Sequence, residues 1–134
     1  MTTTNYINTL IEPAEDCPAT ESTVPGERGG QPTVAMMQYQ MLDGRPYQYD
    51  SDDVLFTVYA RRKGLQPSPE HRAEYFAKGQ PCFRASPLTK QFGWCVHSNA
   101  EGKIALVAQG SEDHVRLASD DSVKKVRAMR SKRA

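Results

Sequence analysis

The sequence predicts an α+β domain: an antiparallel sheet of about four strands, including a C-terminal hairpin, with three or four helices on one face. Three observations lead there. Residues 92–108 carry a hairpin signature, residues 51–64 read as a helix capped at both ends, and a run of strand formers lies between Asn5 and Glu12.

The hairpin signal is the clearest. Asn99-Ala100-Glu101-Gly102 fits a type I turn followed by a glycine in the left-handed region, the three-residue hairpin with a bulge. That turn pairs Asn99 with Lys103, Ser98 with Ile104 and His97 with Ala105. Trp94, Val96, Ile104 and Leu106 then share a core face, and Cys95, His97, Ala105 and Val107 share the other.

The remaining elements follow in chain order. The first strand is expected to end at Pro13. Residues 13–32 are punctuated by Pro13, Pro18, Pro25, Gly26, Gly29, Gly30 and Pro32 too densely for a regular element, so they read as a long loop. Thr33 to Asp43 reads as a helix with Val34, Met37, Met41 and Leu42 on one face and Gly44 as its stop. Ser51 is the expected N-cap of a helix running to Lys63, with Asp52 and Asp53 at its positive end and Arg61, Arg62 and Lys63 at its negative end. The alternation of Val54, Phe56 and Val58 argues for a strand there, and the caps decide for a helix. Ser68-Pro69-Glu70 opens a third helix that Gly79 closes, and Ser111 to Leu117 forms a short fourth. Val123 to Arg130 reads as a strand, because Lys124 and Lys125 would oppose a helix dipole at its N-terminus.

At 134 residues, 38% hydrophobic and 25% charged, the chain fits one domain over 1–134 and can bury a core without staples. A net charge of +1 excludes a polyanion binder that acts through overall charge, so nucleic acid is not the expected partner. No stretch reaches the roughly 18 apolar residues that a membrane span needs. Cys17, Cys82 and Cys95 form an odd, widely spaced set that suits free thiols in a reducing compartment. With no basic-then-apolar leader at the N-terminus, the expected location is the cytoplasm.

The segment Pro81 to Lys90 gathers a thiol, a guanidinium, two hydroxyls and an ammonium in a turn-rich stretch. The favoured reading is a small-anion site in which Arg84 and Lys90 supply charge, Ser86 donates a hydrogen bond and His97 floors the pocket from the hairpin. A second reading is an enzyme whose nucleophile is Cys82 or Cys17 with His97 as base. A third uses the basic segment Lys124, Lys125, Arg127, Arg130, Lys132 and Arg133 as an interaction module, although no aromatic residue interleaves there for base stacking. Each has an ordinary alternative: an ion pair at the core edge, a small buried thiol, a strand edge kept single by its lysines. His71 and His114 read as exposed helix residues, and no close Cys-x₂₋₄-Cys pair marks a metal site. No glycine-rich phosphate loop or nucleophile elbow is present, so no cofactor is expected.

Several segments together resemble a known family: Asn5-Tyr6-Ile7-Asn8-Thr9 with Asp16-Cys17-Pro18, Pro46-Tyr47 with Ser51 to Phe56, Gly79 to Leu88, the hairpin from Gly93-Trp94 to Leu106, and the ending Ala128 to Ala134. They are similar to a domain of unknown function found in small bacterial and fungal proteins. The resemblance implies a single-domain protein and brings no activity, ligand or catalytic residue. Its pattern places glycine after the tryptophan, where this chain has Cys95. The matching positions that carry chemistry are Asp16, Cys17, Cys82, Arg84, Ser86, His97, Arg130 and Lys132.

Overall fold

A computed structural model describes residues 3–131. Eleven elements follow in order: β1 (Thr9–Glu12), α1 (Val34–Leu42), β2 (Tyr49–Asp50), α2 (Ser51–Lys63), α3 (Pro69–Ala77), a 3₁₀ turn (Phe83–Ala85), α4 (Pro87–Lys90), β3 (Trp94–Ser98), β4 (Lys103–Ala108), α5 (Glu112–Ala118) and β5 (Lys124–Arg127). The fold is α+β, and its sheet has five strands in the order β2-β4-β3-β1-β5. The sheet is mixed rather than antiparallel. β1 runs antiparallel to β3 and parallel to β5, since the chain crosses over through all the helices before β5 reaches the open edge of β1. β2 is a two-residue edge pairing with β4 that no local pattern announces.

The hairpin register is the expected one, with Ser98 opposite Ile104 and His97 opposite Ala105, and Asn99 Oδ1 accepting the Glu101 and Lys103 amides across the turn. Alternation along it separates two cores. Ile11, Val96 and Ile104 pack with Phe83, Leu88, Leu42 and Val54 beneath α1, α2 and α4. Leu10, Cys95 and Val107 pack on the opposite side with Leu117 of α5 and Val123. The helices therefore cover both faces, not one.

α2 is a helix, and its cap lies one residue earlier than expected. The Asp50 carboxylate accepts the Asp53 amide at 2.7 Å, and Asp53 returns the bond to the Asp50 amide at 3.1 Å. Gly64, at φ 67°, closes the other end. The strand-like alternation has a different cause. Val54 and Val58 face the main core, whereas Phe56 and Ala60 face Phe76 of α3, so the helix is buried on two sides.

Between β1 and α1 the chain forms no regular element beyond an isolated bridge from Arg28 to Gln31. The loop is strapped to the start of β3. Ser22 Oγ donates to the Gly93 carbonyl at 2.7 Å and Trp94 Nε1 donates to the Thr23 carbonyl at 2.7 Å. Gly93 is required here, because at φ 75° a Cβ would lie 2.8 Å from the Glu21 carbonyl oxygen.

Candidate functional site

Between α1, α2 and α3 lies a cavity of about 640 Å³, within the roughly 300–1,000 Å³ range of small-molecule sites. Three helices build its walls, each with one stripe at helical spacing. α1 contributes Val34 and Gln38, α2 contributes Leu55, Val58, Tyr59 and Arg62, and the α3 stripe is His71, Glu74, Tyr75 and, just past its end, Lys78. The segment from Gln80 to Pro87 completes it with Cys82, Ala85 and Ser86. A smaller hollow of about 360 Å³ adjoins it, shares Val34 and Pro87 as walls and reaches the loop at Gly26–Arg28.

The wall is apolar around Val34, Leu55, Val58 and Pro87 and aromatic where Tyr59 and Tyr75 stack with ring centroids 4.5 Å apart. Burial, then the neighbouring Tyr59, raises the Tyr75 phenol above its ordinary range, so it stays protonated at neutral pH. Charge gathers on α2 and α3, where Arg62 and Lys78 outnumber Glu74.

One polar group lies deep. Gln38 is 2% exposed and lines the cavity. The Ser86 hydroxyl accepts the Leu88 amide at 3.1 Å and donates to Gln38 Oε1 at 2.5 Å. That bond fixes which end of the amide faces Ser86. The NH₂ end meets no acceptor among the described residues, yet no side-chain polar atom there is both sealed from solvent and unbonded. The Gln38 NH₂ is therefore not sealed from solvent, and Gln38 is part of the cavity wall.

Cys82 shares this site. Its sulfur lies 3.2 Å from the Tyr6 hydroxyl and 3.4 Å from the Arg84 amide nitrogen, which donates to it. Burial, followed by the contact with Cys82, raises the Tyr6 phenol, which therefore stays protonated at neutral pH. His71 Nδ1 lies 2.7 Å from the Gln66 carbonyl, which can only accept, so Nδ1 carries the hydrogen and Nε2 is the basic nitrogen of the neutral ring.

Of the residues expected to form an anion site, only Ser86 lies on this cavity. Arg84 Nε donates to the Arg127 carbonyl at 2.7 Å and so ties the 3₁₀ turn to β5. Lys90 ends α4 outside the cavity lining. His97 is on the other side of the sheet, because it sits opposite Leu10 while Val96 sits opposite Ile11. α5 covers the face that was expected to floor a pocket, and Cys95 there is fully buried. The same sheet rules out contact between Cys82 and a His97 base. His97 Nδ1 instead meets the Tyr47 hydroxyl at 2.8 Å, from a tyrosine held at φ 60°. Cys17 lies outside the cavity lining, with its thiol donating to the Ala19 carbonyl at 3.7 Å.

In the basic segment, Lys125 donates to the Asp120 carbonyl and Arg127 Nη1 to the Pro13 carbonyl at 3.2 Å. Lys124 and Arg130 are exposed, while Lys132 and Arg133 lie outside the described residues. Among the described residues no three His, Cys, Asp or Glu side chains gather as a metal site, and no helix is long and apolar enough to cross a membrane.

A family model matches residues 1–134, the whole chain. The protein belongs to DUF6157, a family of unknown function. No curated protein and no solved structure matches it. DUF6157 membership thus brings no activity with it. Sequence reading missed Gln38, Arg62 and His71. The signal that finds Arg62 and His71 is the spacing 55, 58, 59, 62 and 71, 74, 75, 78, two stripes that each mix apolar or aromatic with polar residues.

Proposed function

We propose that the cavity between α1, α2 and α3 binds a small organic acid: an apolar or aromatic body seated against Leu55, Val58, Tyr59 and Tyr75, with a carboxylate as its polar end. The observation that carries this reading is Gln38, a 2% exposed amide on the cavity wall whose NH₂ end has no acceptor among the described residues. A carboxylate oxygen can accept from that amide in a charge-assisted hydrogen bond. Arg62 favours the anion over the neutral acid or amide. The anionic ligand expected from sequence is thus retained, with Ser86 as its supporting hydroxyl, and moved to a different wall.

Free thiols at Cys17, Cys82 and Cys95 support a reducing compartment, and we place the protein in the cytoplasm. Nucleic acid is not part of the proposal, since Lys125 and Arg127 are already engaged with backbone carbonyls.

The test is a thermal-shift titration with phenylacetate, hexanoate and their neutral amides. Binding to the native state alone raises the midpoint by mass action. The carboxylates should stabilise wild type more than the amides do. Arg62→Glu should remove that preference, and Leu55→Trp, which fills the hollow, should abolish both shifts. Equal shifts in wild type and Leu55→Trp would sink the cavity as the binding site.

A further inference from the structure

Resting on that binding reading, we propose that Cys82 is a nucleophile toward the acyl carbon of an ester or thioester of such an acid, with Gln38 holding the carbonyl oxygen. Three observations support it independently of the ligand's charge. Cys82 lines the cavity, and its sulfur lies 3.2 Å from the Tyr6 hydroxyl and accepts the Arg84 amide at 3.4 Å. Gln38, 2% exposed, lines the same cavity, and its NH₂ end has no acceptor among the described residues. His71 lines it too, with Nε2 left basic by the Nδ1–H donated to Gln66. A thiol, a donor for a developing oxyanion and a base are the parts that acyl transfer needs.

The steps balance without any further reactant except water. The thiol proton passes to His71 Nε2 as the sulfur–carbon bond forms and the carbonyl π pair moves onto oxygen, where the Gln38 N–H groups receive it. The tetrahedral species collapses, the bond to the leaving alcohol or thiol breaks, and the leaving group takes the proton from His71. Water then adds to the acyl-cysteine, giving a proton to His71. The carbon–sulfur bond breaks, the proton returns to sulfur, and the free acid remains in the site that binds carboxylates. Tyr6 is a positioning residue here, a phenol that holds the sulfur in place.

Cys95 is the internal control. It is fully buried, and burial followed by Glu12 pushes its thiol up to about 12, so it offers neither access nor thiolate near neutral pH.

The experiment uses p-nitrophenyl esters of acetic, butyric and hexanoic acid with the full chain. Release of p-nitrophenolate should show a burst of about one equivalent, and peptide mass mapping should find the acyl group on Cys82, as expected of a covalent intermediate. Cys82→Ser should remove the adduct on that peptide. His71→Ala should slow acylation by about 10²-fold or more. Gln38→Met should slow it by about 10²-fold. Should Gln38→Met fail to fold, His71→Ala, on a half-exposed α3 position, carries the test alone. An adduct confined to Cys17 or lysines, or an acylation rate unchanged in His71→Ala, overturns the proposal. If phenylacetate stabilises both wild type and Cys82→Ser while no Cys82 adduct forms, the chemistry fails and the binding reading stands. If phenylacetate stabilises neither, the binding reading fails as well.

Discussion

The sheet carries a cysteine and a histidine on one side and meets another such pair on the other, in opposite settings. On the α5 side, Cys95 and His97 are adjacent in register, buried, and enclosed by Leu10, Val107 and Leu117. On the other side, Cys82 and His71 come from separate elements and both line an open cavity. Sequence proximity favours the first pair, and access favours the second. The difference shows that a thiol and an imidazole become chemically useful through the space beside them. In the closed core the same groups act as packing, and low dielectric holds them neutral.

The largest expected effect separates the two sides by stability. Leu10 is fully buried in the α5 core, so Leu10→Ala should cost about 2–5 kcal/mol in chemical denaturation. Leu55 already borders an open hollow, so Leu55→Ala removes fewer contacts and should cost markedly less. Equal losses would mean that the cavity wall is as tightly packed as the closed core, and the contrast would break.

A second measurement sharpens the closed side through pH. Burial first, and then the positive charge of Arg116, hold the His97 imidazole below its ordinary value, against the weaker opposite pull of Asp120. The unfolded chain titrates near 6.5, so between that value and the lower folded one the unfolded state binds more protons. The contribution of neutral His97 to stability is present above about pH 6.5 and is lost as pH falls through the folded value. Thermal midpoints of wild type should therefore fall more steeply than those of His97→Gln between about pH 6.5 and 5. Parallel curves would show that the imidazole is not held neutral by its surroundings.

The smallest effect isolates one neighbour. Arg116 is on the solvent side of α5 and pairs with Asp113 at 3.2 Å, an exposed pair worth about 0–1 kcal/mol. Arg116→Ala should leave stability nearly unchanged while moving the His97 midpoint slightly upward in an NMR titration, because burial remains. A return to the full unperturbed value would make charge, not burial, the cause.

The residue pattern alone was enough for whatever depends on neighbours in the chain. Asn99 to Gly102 set the turn and hence the register of β3 and β4, since a one-residue slip would turn Trp94 and Val96 to the wrong face. Local side-chain caps at Thr33, Ser68 and Ser111 start three helices where expected, each accepting the amide three residues on. Tertiary structure decided the rest. That β5 pairs parallel with β1, more than a hundred residues earlier, depends on a crossover with no local signature. That α5 covers the second face of the hairpin follows from Leu117 and Val123 finding Leu10 and Cys95, a match between apolar surfaces far apart in sequence. The cavity is of the same kind. Its polar floor is a glutamine at position 38 bonded to a serine at position 86, and its walls are stripes from three helices. Each stripe is visible in the sequence, but which stripes face one another is set by how the helices pack, and hydrophobic burial is non-directional until the whole chain is in place.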